Sequence, residues 1–593
     1  MKIKKIILLT MAAVTFSGCE DMFEPAVENY RDRDVMYEEA NFALGILLNG
    51  YTRIPTNSWS FNDVATDDAV SNDVNNSYRK MATGTWSAIV NPVDAWTNCM
   101  AGIQYMNIML EEADKVNWST DEDLKRMFND RTKGEAYALR GLFMYYLLRA
   151  HAGSITEGGQ IMGVPILRNS LGAEDNYNLP RESFDACIEQ INLDFDEAEK
   201  LLPLDFTDIS TDAEVPEKYE GISKENYNRV FGVNSRQRIT KRIVEAMRAK
   251  TALLAASPAY NIGEDVTKWQ TAAAMAAKVI DRDDVQFDVN GLQWYSRPTS
   301  SNGDNSAEIL WRNSVGGTDN NLEKDNYPPT LFGNGRINPT QNLVDAFPMA
   351  NGYPITDEVN SGYKASDPYT GRDPRLAKFI VYNESKLGPG TGDQQETITT
   401  VGYSTNDGVN QTETSTRTGY YMRKLLIESI NLDPTATTAE RHIIPHIRYT
   451  EMFLTYAEAA NEAYGPKGKA EGCKYTAYEI IKKIRERAGI CPNGAADLYL
   501  DECAKDPMKM RELIRNERRL ELCFEGFRFW DLRRWKVDIE KLTETARGIN
   551  KAGGTSYEPF DVENRNYKEH MYYGPIPYAE TLKWSELKQN FGW

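Results

Sequence analysis

The feature that most constrains this 593-residue chain is a helix with almost no bare side. In the run RTKGEAYALRGLFMYYLLRA, from Arg131 to Ala150, Ala136, Leu139, Phe143 and Leu147 form one stripe at helical spacing. Tyr137, Gly141, Tyr145 and Leu148 form a second, so the helix must be central and surrounded by others. Helical patterns also fit residues 37–51, 94–113, 183–202, 240–256, 266–280, 449–464, 475–488 and 508–527. Ser119 with Glu122 predicts a capping box on a separate short helix before the central one, and Gly153 a stop after it. Gly465 and Pro466 predict another stop. Small residues (Ala136 and Gly141; Ala246, Ala249 and Ala252; Ala457, Ala459 and Ala460) recur where helices would press together. The expected fold is mostly α, a tetratricopeptide-like helix-pair scaffold without a strict repeat period, carrying a long-loop ligand-binding face and a few short strands. Residues 203–239, 299–340 and 384–419, rich in Gly, Asn, Asp, Ser and Thr, are the loops expected to make that face.

The amino terminus bears on location. Lys2, Lys4 and Lys5 precede an apolar stretch from Ile6 to Val14, with Ser17 and Gly18 just before Cys19. That stretch is too short to span a bilayer, which takes about 20 residues, and reads as an export signal over residues 1–18. A lipoprotein signal of this kind would leave an acylated Cys19 at the start of the mature chain. A simple secretory peptide with a chance cysteine is the plainer alternative. Glu20 and Asp21 follow, and this acidic start resembles the surface-export signal of Bacteroidota lipoproteins. The expected location is the outward face of the cell outer membrane, attached through the lipid alone. The net charge is −19, and losing the signal's lysines makes the mature chain more negative still. Such acidity disfavours nucleic acid and anionic headgroups. The cysteines beyond Cys19 form no C-x-x-C pair and the chain has only four histidines, so no structural zinc site and no cofactor are expected. Cys491 and Cys503 share a loop-rich region and are the candidate disulfide, although a core this large needs no staple.

Several motifs resemble one family in order and approximate spacing. KGEAYALRGLFMYYLLR followed by GVPI, MRAKTALLAASPAYN, NLVDAFPMANGYPI with GRDPRL, IRYTEMFLTYAEAANEAYG, RNERRLELCFEGFRFWDLRRWK and the ending YYGPIP to QNFGW look like the SusD/RagB family of nutrient-binding outer-membrane lipoproteins. The resemblance runs from about residue 37 to Trp593. It implies a single SusD-like domain over 19–593, with an N-terminal part to about 230 and a C-terminal part from about 231. It also implies tetratricopeptide-like helix pairs, a SusC-like TonB-dependent transporter as partner, and uptake of glycans, or of peptides in the RagB branch, without catalysis.

The residues can be asked independently whether catalysis is plausible. Glu517, Glu521 and Glu525 share one helix face and could suggest a glycosidase acid and nucleophile. Arg515, Arg518, Arg519, Arg528, Arg533 and Arg534 crowd the same stretch, so a packed ion-pair network is the stronger account. No G-x-S-x-G elbow, P-loop or H-E-x-x-H helix is present. His442 and His446 are four apart, but Pro445 breaks the helix that would aim both at one metal, and they read as structural.

A sugar ring presents flat C–H faces, so a glycan site needs exposed aromatic planes with hydrogen-bonding groups at the rim. Trp59, Trp86 and Trp96 lie in or beside the polar stretch 55–98, with Asp67, Asp68, Asn75 and Arg79 interleaved. Trp294 and Tyr295 follow a turn at Asn290 and Gly291, and Trp311 alternates with Ile309 and Asn313 on an expected strand. The family resemblance implies a platform from these two regions, with Trp86, Trp294 or Tyr295, and Trp311 the best positional matches. Trp96 is equally suited to packing, and Trp269, Trp530, Trp535 and Trp593 look structural. Half-buried loop tryptophans often simply cap a core.

Overall fold

A computed structural model describes residues 34–296, 305–313, 316–551 and 556–593. The export signal and Cys19 lie outside the described residues. About 45% of the described residues are helical. The scaffold helices are α1 (Ala40–Thr52), α2 (Trp96–Glu112), α3 (Glu122–His151), α4 (Phe184–Leu201), α5 (Lys241–Ala256), α6 (Val266–Ile280), α7 (Tyr449–Tyr464), α8 (Ala477–Ala488), α9 (Pro507–Glu521) and α10 (Arg528–Arg534). From α1 to α7 each packs on the next in sequence, and α8 and α9 then pack on α7. A tetratricopeptide-like array has this nearest-neighbour character, because a single helix pair cannot bury its own apolar face.

Close approach explains the small residues. A Cβ on Gly102 of α2 would stand 2.5 Å from the Phe143 ring of α3, and one on Gly141 of α3 would stand 2.6 Å from Phe195 of α4. Buried polar pairs then fix the register of the helices. Arg140 on α3 clamps Asp194 on α4 (2.5 Å), Lys250 on α5 pairs with Glu451 on α7 (2.6 Å), and Arg534 on α10 pairs with Glu458 on α7 (2.5 Å).

Two expected boundaries change. The central helix starts at Glu122 and absorbs the short helix expected before it, because the Asp121 carboxylate, not Ser119, accepts from the first-turn amides of Asp123 and Leu124. The helix expected over 508–527 stops at Glu521, and the chain breaks through Phe524 (φ 64°) and Gly526 (φ 77°) before α10. Buried Asp63 holds that break by accepting from the Phe524 amide at 3.1 Å.

The strands pair two by two, all antiparallel: β1 (Ala69–Ser71) with β3 (Ile337–Pro339), β2 (Ile309–Arg312) with β4 (Pro445–Arg448), and β5 (Ala546–Asn550) with β6 (Glu558–Glu563), besides shorter pairs. β2 is buried along its whole length, so Trp311 does not alternate toward solvent. These pairs roof a second core containing Trp294, Tyr327, Phe379 and Tyr421. Cys99, Cys187, Cys473, Cys491, Cys503 and Cys523 are all free thiols, and Cys491 and Cys503 are not joined. No described helix is long and apolar enough to cross a membrane.

Candidate functional site

The cavity lined by the most residues, principal in that sense though not in its volume of about 170 Å³, opens where several elements end against one another. The loop after α1 contributes Thr56, Trp59 and Asn62, and the approach to α2 contributes Pro92 and Asp94. The last turns of α3 bring Tyr146 and Arg149, α5 brings Lys250, and β4 brings His446 and Arg448. The break after α9 supplies Glu525 and Phe527, and α10 supplies Trp530. A space this small, below the roughly 300–1,000 Å³ that encloses a drug-sized ligand, suits one ring or chain end rather than a whole oligomer.

Its aromatic groups are braced from behind. Trp59 is half-buried, leaning on Phe61 (centroids 6.2 Å apart) and Trp294 (6.4 Å). The Arg149 guanidinium lies 4.4 Å over Trp530 and 4.8 Å over Tyr146, and it meets no carboxylate among the described residues. Every carboxylate lining the cavity already has a basic partner. Asp94 meets His151 at 3.1 Å, Glu451 meets Lys250, and Glu525 meets Lys424 and Arg448 (both 2.7 Å). Burial would raise the Glu525 carboxyl, but Arg448 and Lys424 outweigh it and hold it below the usual range. His446 is pushed down to about 3 by burial, with Lys250 adding, so its ring is neutral; it touches Thr56 (2.7 Å) and the Trp311 ring. Among the described residues no group of three His, Cys, Asp or Glu side chains is placed to hold a metal ion.

Most residues singled out from the sequence have other partners. Trp294 and Trp311 are each only 1% exposed. Trp311 donates its Nε1 hydrogen to the Gln237 carbonyl (2.9 Å), and Trp294 lies beneath Trp59 with Arg448 over its ring. Tyr295 is buried edge-on against Trp294. Trp86 is walled in by Phe529, Tyr567 and Trp593 and bonds Asn91 at 2.9 Å, while Trp96 is buried edge-on against His151. Rings with no open face cannot stack on a sugar, so the expected platform from these five is corrected: they cap cores.

Asp67 and Asp68 are likewise not rim groups. Asp67 pairs with Arg528 (2.9 Å), Arg519 (3.0 Å) and Lys541 (2.8 Å), and Asp68 with Arg519 (2.6 Å). Burial would raise Asp67, yet Arg519, Arg528 and Lys541 hold it well below the carboxylate range, whereas burial against its neighbour's charge leaves Asp68 raised. Arg79 bonds Glu563 (3.0 Å), and exposed Asn75 accepts from Lys80 at 3.2 Å. Trp59 alone of the set lines the cavity. Trp530, read as structural, lines it too. The long polar loops 203–239, 299–340 and 384–419 contribute none of its lining.

The glutamate triplet is an ion-pair lattice with unexpected partners. Glu517 meets Arg375 and Arg485 (both 2.8 Å), and Glu521 meets Arg375 (3.0 Å) and Arg487 (2.9 Å). All three glutamate side chains are at most 3% exposed. The nearby Arg519 and Arg528 serve Asp67 and Asp68 instead.

Residues 288–593, more than half of the chain, match the model of the SusD family. The chain belongs to the SusD family. Residues 40–215 match a second SusD-like model, described as starch-binding associating with outer membrane. A SusD-like protein of Bacteroides fragilis superposes with a TM-score of 0.71 at 24% identity, covering 95% of this chain and 99% of that one. A SusD-like carbohydrate binding protein of the same species gives 0.68 at 21% identity, covering 93% and 99%. These likenesses show the SusD-like fold. SusD-like protein P2 of Formosa agariphila is 31% identical over 144 residues, 24% of each chain, so the match spans about a quarter of that relative's length.

Proposed function

We propose that this SusD-like protein is a cell-surface glycan-binding lipoprotein that captures oligo- or polysaccharide and passes it to a SusC-like TonB-dependent transporter without cleaving it. The observation that carries this is the cavity, where Trp59, Phe527 and Trp530 meet the donors of Arg149 and Asn62, and each lining carboxylate is paired with a histidine, lysine or arginine. Hydrolysis of a glycosidic bond takes two carboxyl groups, one of them protonated with a raised pKa. Glu525 is shifted the opposite way. Aromatic faces with a few convergent donors grip a sugar. The carbohydrate binding described for the B. fragilis relative, whose fold is shared, supports the same assignment. In this proposal residues 1–18 are an export signal, acylated Cys19 anchors a single domain over 19–593 to the outer leaflet, and modest affinity lets the ligand move inward.

The test is affinity electrophoresis and calorimetry of the exported domain against a polysaccharide panel, with reducing-end release followed in parallel. At least one glycan should be retained, Trp59→Ala and Trp530→Ala should weaken it about tenfold, and no new reducing ends should form. Retention of no glycan, or turnover, overturns the proposal.

A further inference from the structure

A second depression, sharing no lining residue with the principal cavity, lies between the loop 399–420 and the β5–β6 hairpin. It encloses about 390 Å³ and is lined by Tyr403, Asn410, Gln411, Asn550, Glu558 and Phe560, with Val409 and Pro559. Tyr403 is 70% exposed, the most exposed aromatic side chain among the described residues. Neither it nor Phe560 stacks on another ring among those residues. A single exposed ring is common on a protein surface, so the weight falls on what surrounds this one.

The loop that carries it is pre-organised. The Gly402 amide donates to Asn550 Oδ1 (2.7 Å), Thr405 Oγ1 to the Thr399 carbonyl (3.0 Å), and the Asn410 amide to the Thr416 carbonyl (2.9 Å). Buried Asp407 ties the loop to Thr330 through its amide (2.9 Å) and hydroxyl (2.5 Å). Tyr403 therefore projects from a fixed base, and a ligand need spend little entropy ordering it. On the opposite wall, Phe560 stands where a Cβ on Gly548 would come within 2.9 Å of it, so the bare glycine leaves room for that ring.

The chemistry of the trough is specific. Two aromatic faces flank three side-chain amides and one carboxylate, with no basic residue among the described residues of the lining. Amides both donate and accept, matching vicinal hydroxyls, and a lone carboxylate repels anionic substituents. We infer that this trough is a second saccharide subsite, for a neutral glycan chain, in which Tyr403 and Phe560 stack on sugar faces and the Asn410 side chain, Gln411 Oε1 and Asn550 Nδ2 bond hydroxyls, the Gln411 Nε2 and Asn550 Oδ1 being engaged by the Val409 carbonyl and the Gly402 amide. The inference rests on the glycan-capture proposal and adds to it a second point of attachment. Two contacts on one long chain reinforce each other by effective concentration, whereas a short oligomer occupies one site at a time.

The experiment uses the full exported domain with a neutral polysaccharide that the wild type retains and a short oligomer of the same glycan. Tyr403→Ala should weaken the polysaccharide roughly five- to tenfold, leave the short oligomer's affinity at the principal cavity unchanged, and leave Tm unchanged because the ring is exposed. Tyr403→Phe should retain polysaccharide binding, since it keeps the stacking face. In a Trp59→Ala background the residual retention should vanish on adding Tyr403→Ala. If the wild type retains the polysaccharide and Tyr403→Ala retains it equally in both backgrounds, the subsite is refuted while glycan capture stands; if the wild type retains none, capture itself fails.

Discussion

Asp67→Asn separates a structural carboxylate from a sugar-binding one at a residue that the sequence alone places among the ligand contacts. The amide keeps the shape and removes the charge on which Arg528, Arg519 and Lys541 converge within 3.0 Å. Arg519 retains Asp68 at 2.6 Å and Lys541 retains Glu544, but Arg528 is left with Asp68 at 3.9 Å. Stripping one partner from a buried pair costs about 3–5 kcal/mol, and the surviving contacts put this case near 3. At about 2.1 cal/mol/K of unfolding entropy per residue, a cooperative unit of roughly 560 residues would lose about 3 °C in Tm. Scanning calorimetry measures the shift, and electrophoresis in glycan-loaded gels measures binding of the folded protein, which should match the wild type. Combining Asp67→Asn with Arg528→Met should cost less than the two single changes added together, because the second removes the stranded cation. A variant with wild-type Tm and no glycan binding would refute this reasoning and return Asp67 to the binding surface.

Trp86→Ala should cost about 3–5 kcal/mol in urea unfolding through the cavity left among Phe529, Tyr567 and Trp593, while glycan retention of the folded fraction persists. Burial, with Asp68 adding, raises Asp63 from 3.8 to about 7. The folded state therefore keeps a proton that the unfolded chain releases, so this group's contribution is full below about pH 4 and is lost as pH rises through about 7. Asp63→Asn should flatten the fall in unfolding free energy between about pH 4 and pH 7, by an amount on the order of a few kcal/mol. Gly141→Ala forces a Cβ to 2.6 Å from Phe195 and should lower stability by about 1–3 kcal/mol in the same unfolding assay.

Helix periodicity and terminal chemistry were legible where they are local. α6 and α7 occupy the predicted spans, the first capped by Asp265 and the second stopped at Gly465 with φ 76°. The break after Glu521 was not legible, because it is held by Asp63, more than 450 positions away in the chain. The same limit applies to the site. Whether a loop indole faces water depends on distant partners, such as the Gln237 carbonyl for Trp311 or the Trp593 ring for Trp86. The ionic character of the glutamate triplet could be read from its charged neighbourhood, but Arg375 and Arg485 come from other segments and left no local sign. Trp530 sits in a motif dense with buried groups, and nothing local marks it as half-buried beneath the guanidinium of Arg149, which comes from a distant helix.

The unjoined thiols have a chemical consequence. Burial pushes Cys99 and Cys523 up to about 12 and Cys187 up to about 11, so at neutral pH the nucleophilic anion of each is populated at about one part in ten thousand or less. Once packed, these sulfurs are slow to alkylate, to exchange or to be trapped as mixed adducts, even in an oxidising medium. Their vulnerable interval is the time before the helices close, which makes the speed of packing the safeguard against scrambled bonds.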